Sequence, residues 1–376
     1  MTGWLVVALV AGVPGSVNGY LKGQLHLHTN NSGDSATPPA DAVRWYAAHG
    51  YDFIVVTDHN RITVERSPPS MLVIPGVELT QNVERCVPPP PAGTRCLLHV
   101  NALFVAPPAD GRIPWPQAIG ASRFEIYHRA VEATRRLGGI AQLNHPNFHY
   151  AADAPLIALL ARDGIALLEI ANRSWDSNDV PADKGAPSTE AIWDAVLTAG
   201  GDVFGTATDD AHHYFDAGTV GARGEAVFPG DLGFVMVHAA KEPAAIRAAI
   251  ARGDFYSSTG VLLARVERSG DHLEIDVAPS SPGYFSGNPQ RVPGPSRDGA
   301  RRAKLAGSPR EYRFTFIGAG GRVLARAHGR TAGFALARAR AGYVRAVVED
   351  GAGHRAWTQP MRVAAGGARA QEPSRR

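Results

Sequence analysis

The sequence predicts an α/β protein: a closed βα barrel over residues 20–262, followed by a small all-β, sandwich-like C-terminal domain. Three observations predict it. Apolar strand-like runs alternate with helix-like stretches through the first two thirds of the chain. Most of these runs end on His, Asp or Glu. After about residue 262 the helical pattern stops, and alternating runs bounded by Gly take over.

The chain opens with MTGWLVVALVAGVPGSVNG. Trp4 to Val13 is an apolar run of 10 residues, of signal-peptide length and too short to span a bilayer. Val17 and Gly19 are small residues at cleavage-like positions before Tyr20. No Lys or Arg precedes the run, so a buried first strand is the alternative. Residues 1–19 are read as a signal peptide. That puts the mature chain in the periplasm or outside the cell, with no integral membrane segment; on the alternative it is cytoplasmic.

YLKGQLHLHT (20–29) is the first strand and PADAVRWYAAHG (39–50) the first helix. YDFIVVTDH (51–59), MLVIPGVE (71–78) and CLLHVNALF (96–104) have the lengths of buried parallel strands. RFEIYHRAVEATRRLGG (123–139) has helical spacing and leads into GGIAQLNHP (138–146). GIALLEIANR (164–173), the helical TEAIWDAVLTAGG (189–201) and GDVFGTATDDAH (201–212) repeat the scheme, and AAIRAAIARGDFYSSTGV (244–261) ends it. In a βα barrel the active site lies at the C-terminal strand ends. LLARVERSGDHLEIDVAP then alternates as strands do. Residues 281–309, rich in Pro, Gly, Ser and Arg, read as a loop. EYRFTFIG, GRVLARAHG, GYVRAVVEDGAG and AWTQPMRV complete a β domain over 263–365. Residues 366–376 read as a disordered tail.

The 376 residues are 44% hydrophobic, enough for one large domain and a smaller one. The net charge of +3 comes from 34 Arg and 4 Lys against 35 acids. Nucleic-acid binding asks for a clustered basic face. The Arg-rich stretch from Arg291 to Arg345 is the one candidate, and its Gly/Pro-rich surroundings read as solvated loops, so no nucleic-acid partner is expected. Cys86 and Cys96 flank VPPPPAGTR, a close pair around a turn. They form a disulfide in an oxidising compartment, or stand as two free thiols.

The chemistry is concentrated at the run ends. His26 and His28 are two apart, which in a strand aims both imidazoles to one side, and Asp34 ends the following loop. Asp58 and His59 end the second strand, Glu78 the third. His99 and His145 follow, then Asp210 and His212. Six of the chain's 14 histidines stand at such places. A lone His is usually a satisfied core or helix-end residue; the joint pattern points to metal. There is no GxSxG, no P-loop and no strand-linked GxGxxG.

The series HLHT (26–29), TDH (57–59), GVE (76–78), His99, NHP (144–146) and DAH (210–212) resembles the PHP superfamily, named for polymerase and histidinol phosphatase. Coverage is about residues 20–262. Within it, YLKGQLHLHT, GYDFIVVTDHN, LVIPGVELT, HVNAL, GDFYSSTGV and AWTQP are most similar to the branch that includes carbaryl hydrolases. The resemblance implies a distorted seven-stranded βα barrel with an exported, β-rich C-terminal extension. It implies His26, His28, Glu78 and Asp210 as ligands of a first metal. Glu78, His99 and His145 would hold a second, with Glu78 bridging; Asp34, His59 and His212 would hold a third. Family members can carry His at the position of Asp34. Imidazole and carboxylate without Cys suit Zn, Mn or Fe.

The implied activity is metal-dependent hydrolysis of a small-molecule substrate, a metal-activated hydroxide attacking a phosphoester. The alternative is a carbamate, ester or amide. A non-catalytic metal-binding module is the second alternative. Asp58 is expected to orient a ligand from behind. Arg173, positioned by Asn172, binds a phosphate by a bidentate fork or is an ordinary loop residue; Lys184 is a more distant cation. His213 is a proton donor to the leaving group or a histidine at the cleft rim, and His149 has the same two readings. Asp209 supports the site or caps a turn. Phe148 and Trp175 line an apolar pocket or pack in the core, and His128 is structural.

Overall fold

The computed structural model describes residues 19–109, 113, 121–172, 187–279, 311–339 and 341–364. The chain runs β1 (Tyr20–Gln24), α1 (Pro39–Ala48), β2 (Phe53–Val56), β3 (Leu72–Val83), β4 (Cys96–Leu103), α2 (Arg123–Arg136), β5 (Ile140–Leu143), α3 (Ala154–Asp163), β6 (Ile165–Asn172) and α4 (Thr189–Thr198). Then come β7 (Phe204–Thr208), α5 (Ala217–Ala222), β8 (Phe234–His238), α6 (Pro243–Arg252), β9 (Phe255–Ser258), β10 (Leu263–Ser269) and β11 (His272–Val277). The rest is β12 (Tyr312–Gly318), β13 (Arg322–His328), β14 (Thr331–Ala335), β15 (Gly342–Asp350), β16 (Arg355–Thr358) and β17 (Met361–Val363).

Local chemistry explains the boundaries. Helices α2, α3 and α4 start where Ser122, Asp153 and Ser188 accept a hydrogen bond from the backbone N–H three residues on. Helix α6 ends on Gly253, which is left-handed at φ 79°. Helix α3 is additional to the helical stretches read from the sequence. Its APLIALLARD buries Ile157, Ala158 and Leu160 and leaves Leu159 exposed.

The strands form, among the described residues, one 14-stranded sheet in the order β13-β12-β15-β16-β9-β8-β1-β2-β3-β4-β5-β6-β7, with β17 on β15. A three-stranded sheet, β10-β11-β14, stands apart. This overturns the expected seven-stranded βα barrel with a separate β domain. Parallel pairing is confined to β1–β2, β2–β3, β5–β6 and β6–β7. Strand β4 runs antiparallel to both of its neighbours, β3 and β5. Two physical reasons stand out. No helix separates β2 from β3 or β3 from β4, so the crossovers that a barrel repeats are missing there. And β1 takes antiparallel β8 as its second neighbour, so the ladder runs on through β9.

The boundary expected at residue 262 does not divide the sheet. Strand β16 pairs with β9 at Ala356↔Ser258. Tyr343 and Trp357 share a buried core with Val77, Leu143 and Trp193. Arg345 on β15 is fully buried and makes two 2.7 Å hydrogen bonds to the Asp194 carboxylate on α4. The small sheet closes over a second core cluster: Leu273, Ile275 and Phe334 pack with Phe314 and Phe316, and the Phe316 and Phe334 rings stack at 5.3 Å. Cys86 and Cys96 are joined in a disulfide at the loop end of the β3–β4 hairpin. Among the described residues no helix is long and apolar enough to cross a membrane. The signal-peptide reading of 1–19 (except Gly19), the 281–309 loop (with neighbouring 280 and 310) and the 366–376 tail lie outside the described residues.

Candidate metal centre

Past β1 the chain stays extended. Leu27 bridges to Ala211, His28 N donates to Ala211 O at 2.9 Å, and Thr57 N donates to Leu27 O at 3.1 Å. Alternation buries Leu25 and Leu27 in the core and sends His26 and His28 the other way. Their Nε2 atoms come 3.2 Å apart. Asp210 Oδ1 faces both, at 3.3 Å from His26 Nε2 and 3.0 Å from His28 Nε2.

Glu78 on β3 is the hub. Gly76, two residues before it, makes its approach possible: a Cβ there would meet Val55 Cγ1 at 2.6 Å and Val56 O at 3.0 Å. Glu78 Oε1 lies 3.4 Å from His26 Nε2, 3.1 Å from His99 Nδ1 and 3.6 Å from His145 Nε2. Its Oε2 lies 3.5 Å from His28 Nε2 and 2.7 Å from His59 Nδ1. Asp34 Oδ2 is 2.9 Å from His59 Nε2 and 3.2 Å from His212 Nε2. Among the described residues, three groups offer donor atoms all within 4.8 Å of one another: His26, His28 and Asp210; Glu78, His99 and His145; His28, Asp34, His59 and His212. His28 belongs to two of them, where the sequence reading puts it in one.

The donor set fits divalent metal. It is imidazole and carboxylate only. His26, His28, His59, His99 and His212 each keep one ring nitrogen on a polar neighbour: Glu169 Oε1 (2.6 Å), Ser32 Oγ (2.8 Å), Thr80 Oγ1 (2.6 Å), Asn82 Oδ1 (2.8 Å) and Asp210 O (2.8 Å). The opposite nitrogen of each then faces the carboxylates, which is how metal-binding histidines are oriented. His145 turns Nε2 toward Glu78, and its Nδ1 is buried with no hydrogen-bond partner. His145 and Asp210 also hold left-handed backbone, at φ 24° and 51°. Such strain costs about 1–3 kcal/mol each and gathers at functional sites.

The charges are mutually stabilised. Burial pushes the Glu78 carboxyl up, but His59, His99 and His26 outweigh it and hold it well below its usual value. Asp210 is held down likewise, against burial, by His26, His28 and His212. Burial, reinforced by His212 and His59, pushes His28 down to about 4, so its lone pair carries no proton at neutral pH. His59 is buried too, yet Glu78 and Asp34 hold it up at about 10.

No family model matches the chain, and neither does any curated protein.

The other candidates divide. Asp58 touches no ligand ring: its carboxylate accepts from Thr29 N (2.6 Å), Thr29 Oγ1 (2.8 Å) and Thr63 Oγ1, bracing the segment after His28. His213 does not line the cleft; its Nδ1 accepts from Phe228 N at 3.1 Å and burial lowers its pKa. Asp209 accepts from the backbone of Asp231, Leu232 and Gly233, and so caps that turn. His149 Nδ1 accepts from Arg95 N, and His128 pairs with Asp163 at 2.8 Å. Asn172 bridges Glu169 Oε2 (3.0 Å) and Asp210 Oδ2 (3.1 Å). Arg173, Trp175 and Lys184 lie outside the described residues.

Sequence reasoning missed Glu169. Fully buried on β6, it accepts from the His26 ring, His145 N (2.7 Å) and Thr208 Oγ1 (2.7 Å). A lone carboxylate inside the apolar IALLEIAN was the available signal. Missed as well were Asn82 and Arg95. Both line a cleft of about 260 Å³ that reaches Asp34, His59, Glu78, His99, His145, Asp210 and His212, with Leu97, Phe148 and Phe228 as its apolar walls.

Proposed function

We propose that the chain is a metal-dependent hydrolase of the PHP type acting on a phosphoester, with this cleft as its active site. The observation that carries the reading is Glu78: one buried carboxylate within 3.6 Å of nitrogens from five histidines, at the floor of an open cleft. His26, His28, Glu78 and Asp210 would hold one divalent ion, Glu78, His99 and His145 another, and Asp34, His59 and His212 a third. Bound together, such ions supply Lewis acidity and a water acidified from about 15.7 to about 7.

The chain's own residues prepare the site. Glu169 fixes the His26 ring so that Nε2 faces inward. Asn144 Nδ2 donates to Glu78 Oε1 at 2.8 Å and keeps that carboxylate turned to the cleft. Leu97, Phe148 and Phe228 exclude water from one side. The same apolar walls favour a second reading, hydrolysis of a carbamate or carboxylic ester with an aryl leaving group. The Cys86–Cys96 disulfide supports an exported setting, periplasmic or secreted.

The test compares release of one aryl alcohol from its phosphate and from its N-methylcarbamate, with metal-loaded and chelator-treated protein. Chelator-sensitive release from the phosphate is expected. Glu78→Gln should lower turnover by more than the roughly 10–100-fold typical of a residue behind a ligand. Full turnover in that variant with metal still bound sinks the mechanism. Release from the carbamate alone selects the second reading, and metal binding without release from either ester marks a non-catalytic module.

A further inference from the structure

Among the described residues that line the cleft, one is a cation outside the metal-competent cluster. Arg95 lines the cleft and is exposed. Among the described residues no carboxylate pairs with its guanidinium. An exposed Arg on a loop is ordinarily a solvated charge; what sets this one apart is how its backbone is held. The next residue, Cys96, is bonded to Cys86 and pairs with Val83. Arg95 N donates to His149 Nδ1 at 2.9 Å. Across the same loop, buried Arg123 donates from Nε to Pro88 O (2.9 Å) and from Nη1 to Ala151 O (3.1 Å). The loop and the 148–151 turn are thus fastened to each other. One brings Arg95 to the cleft and the other brings Phe148.

A guanidinium forks two oxygens of a phosphate, and a neutral carbamate offers it no charge. We propose that Arg95 is the recognition residue for an anionic ester: it binds the terminal oxygens of a phosphomonoester whose alcohol side rests on Leu97, Phe148 and Phe228. The Cys86–Cys96 bond is the support that keeps it there. The proposal rests on the phosphoester reading above and names the residue that decides it.

The probe is inorganic phosphate, titrated calorimetrically into metal-loaded protein freed of excess metal, with metal content measured for each variant. Arg95→Gln should weaken phosphate binding about 10–100-fold at unchanged metal content. Arg95→Lys should recover part of it, keeping the charge and losing the fork. In turnover, Arg95→Gln should raise KM for the aryl phosphate far more than it lowers kcat. Reducing the disulfide should weaken phosphate binding in the wild type and change little in Arg95→Gln. Equal phosphate affinity in Arg95→Gln and wild type overturns the proposal and leaves the hydrolase reading standing. A wild type that holds no metal ends both. An equal effect of reduction in the two proteins overturns the role of the disulfide.

Discussion

His26 is useful to a metal only because Glu169 occupies its other nitrogen. The 2.6 Å contact between His26 Nδ1 and Glu169 Oε1 sets the tautomer, and Thr208, Asn172 and the backbone of His145 hold Glu169 in turn. Replacing Glu169 by Gln keeps the shape and removes the charge. Metal affinity should then fall about 10–100-fold, read by competition against a chromophoric chelator, with the circular dichroism spectrum unchanged. An affinity equal to wild type would remove Glu169 from the site. At this scale the candidate ligands were legible because each ends or follows an apolar run. Glu169 was not, because it lies within one. Nor was Arg95, because its significance comes from His149 and Arg123, which meet its loop only in the fold.

Among the elements, α4 and β15 carry the most consequential pair. Arg345 is bound by both oxygens of Asp194, and Tyr343 Oη donates to Asp194 Oδ1 at 2.7 Å. A buried pair contributes modestly over an apolar substitute, but removing one partner strands the other's charge. Arg345→Met should therefore cost about 3–5 kcal/mol, measured by urea unfolding, and adding Asp194→Leu should recover part of that. A loss below about 1 kcal/mol in the single variant would mean that the pair does not join these elements. Element positions were well marked in the sequence, since strand runs and most helical stretches stand where they were read. Pairing direction was not. A short apolar run buried on both faces looks alike whether its neighbour is parallel or antiparallel. The stretches between β2 and β3 and between β3 and β4, neither with helical spacing, were the cues that the alternation breaks.

For the molecule as a whole, the sheet continues from β9 into β16 and β15, and both large core clusters contain residues from either side of position 262. A chain ending at residue 262 exposes β9 as an edge and removes Leu263 from Tyr256 and Arg345 from Trp193. It should fail to give a cooperative melt or a sharp near-ultraviolet spectrum, while residues 20–364 should give both. A cooperatively folded 20–262 fragment would instead support the two-domain division.

By itself the sequence determined which atoms are available for chemistry. Imidazole and carboxylate spacing such as HLH is a local property, and alternation along an extended chain aims such residues without reference to the rest of the fold. The tertiary structure alone decided which strands are neighbours, that β1 is flanked by β8, that Glu169 stands behind His26 and that Arg95 reaches the cleft. Those pairings join residues far apart in the chain. They are selected by the burial of whole faces and by the satisfaction of backbone hydrogen bonds over the complete sheet, which no single stretch of sequence encodes.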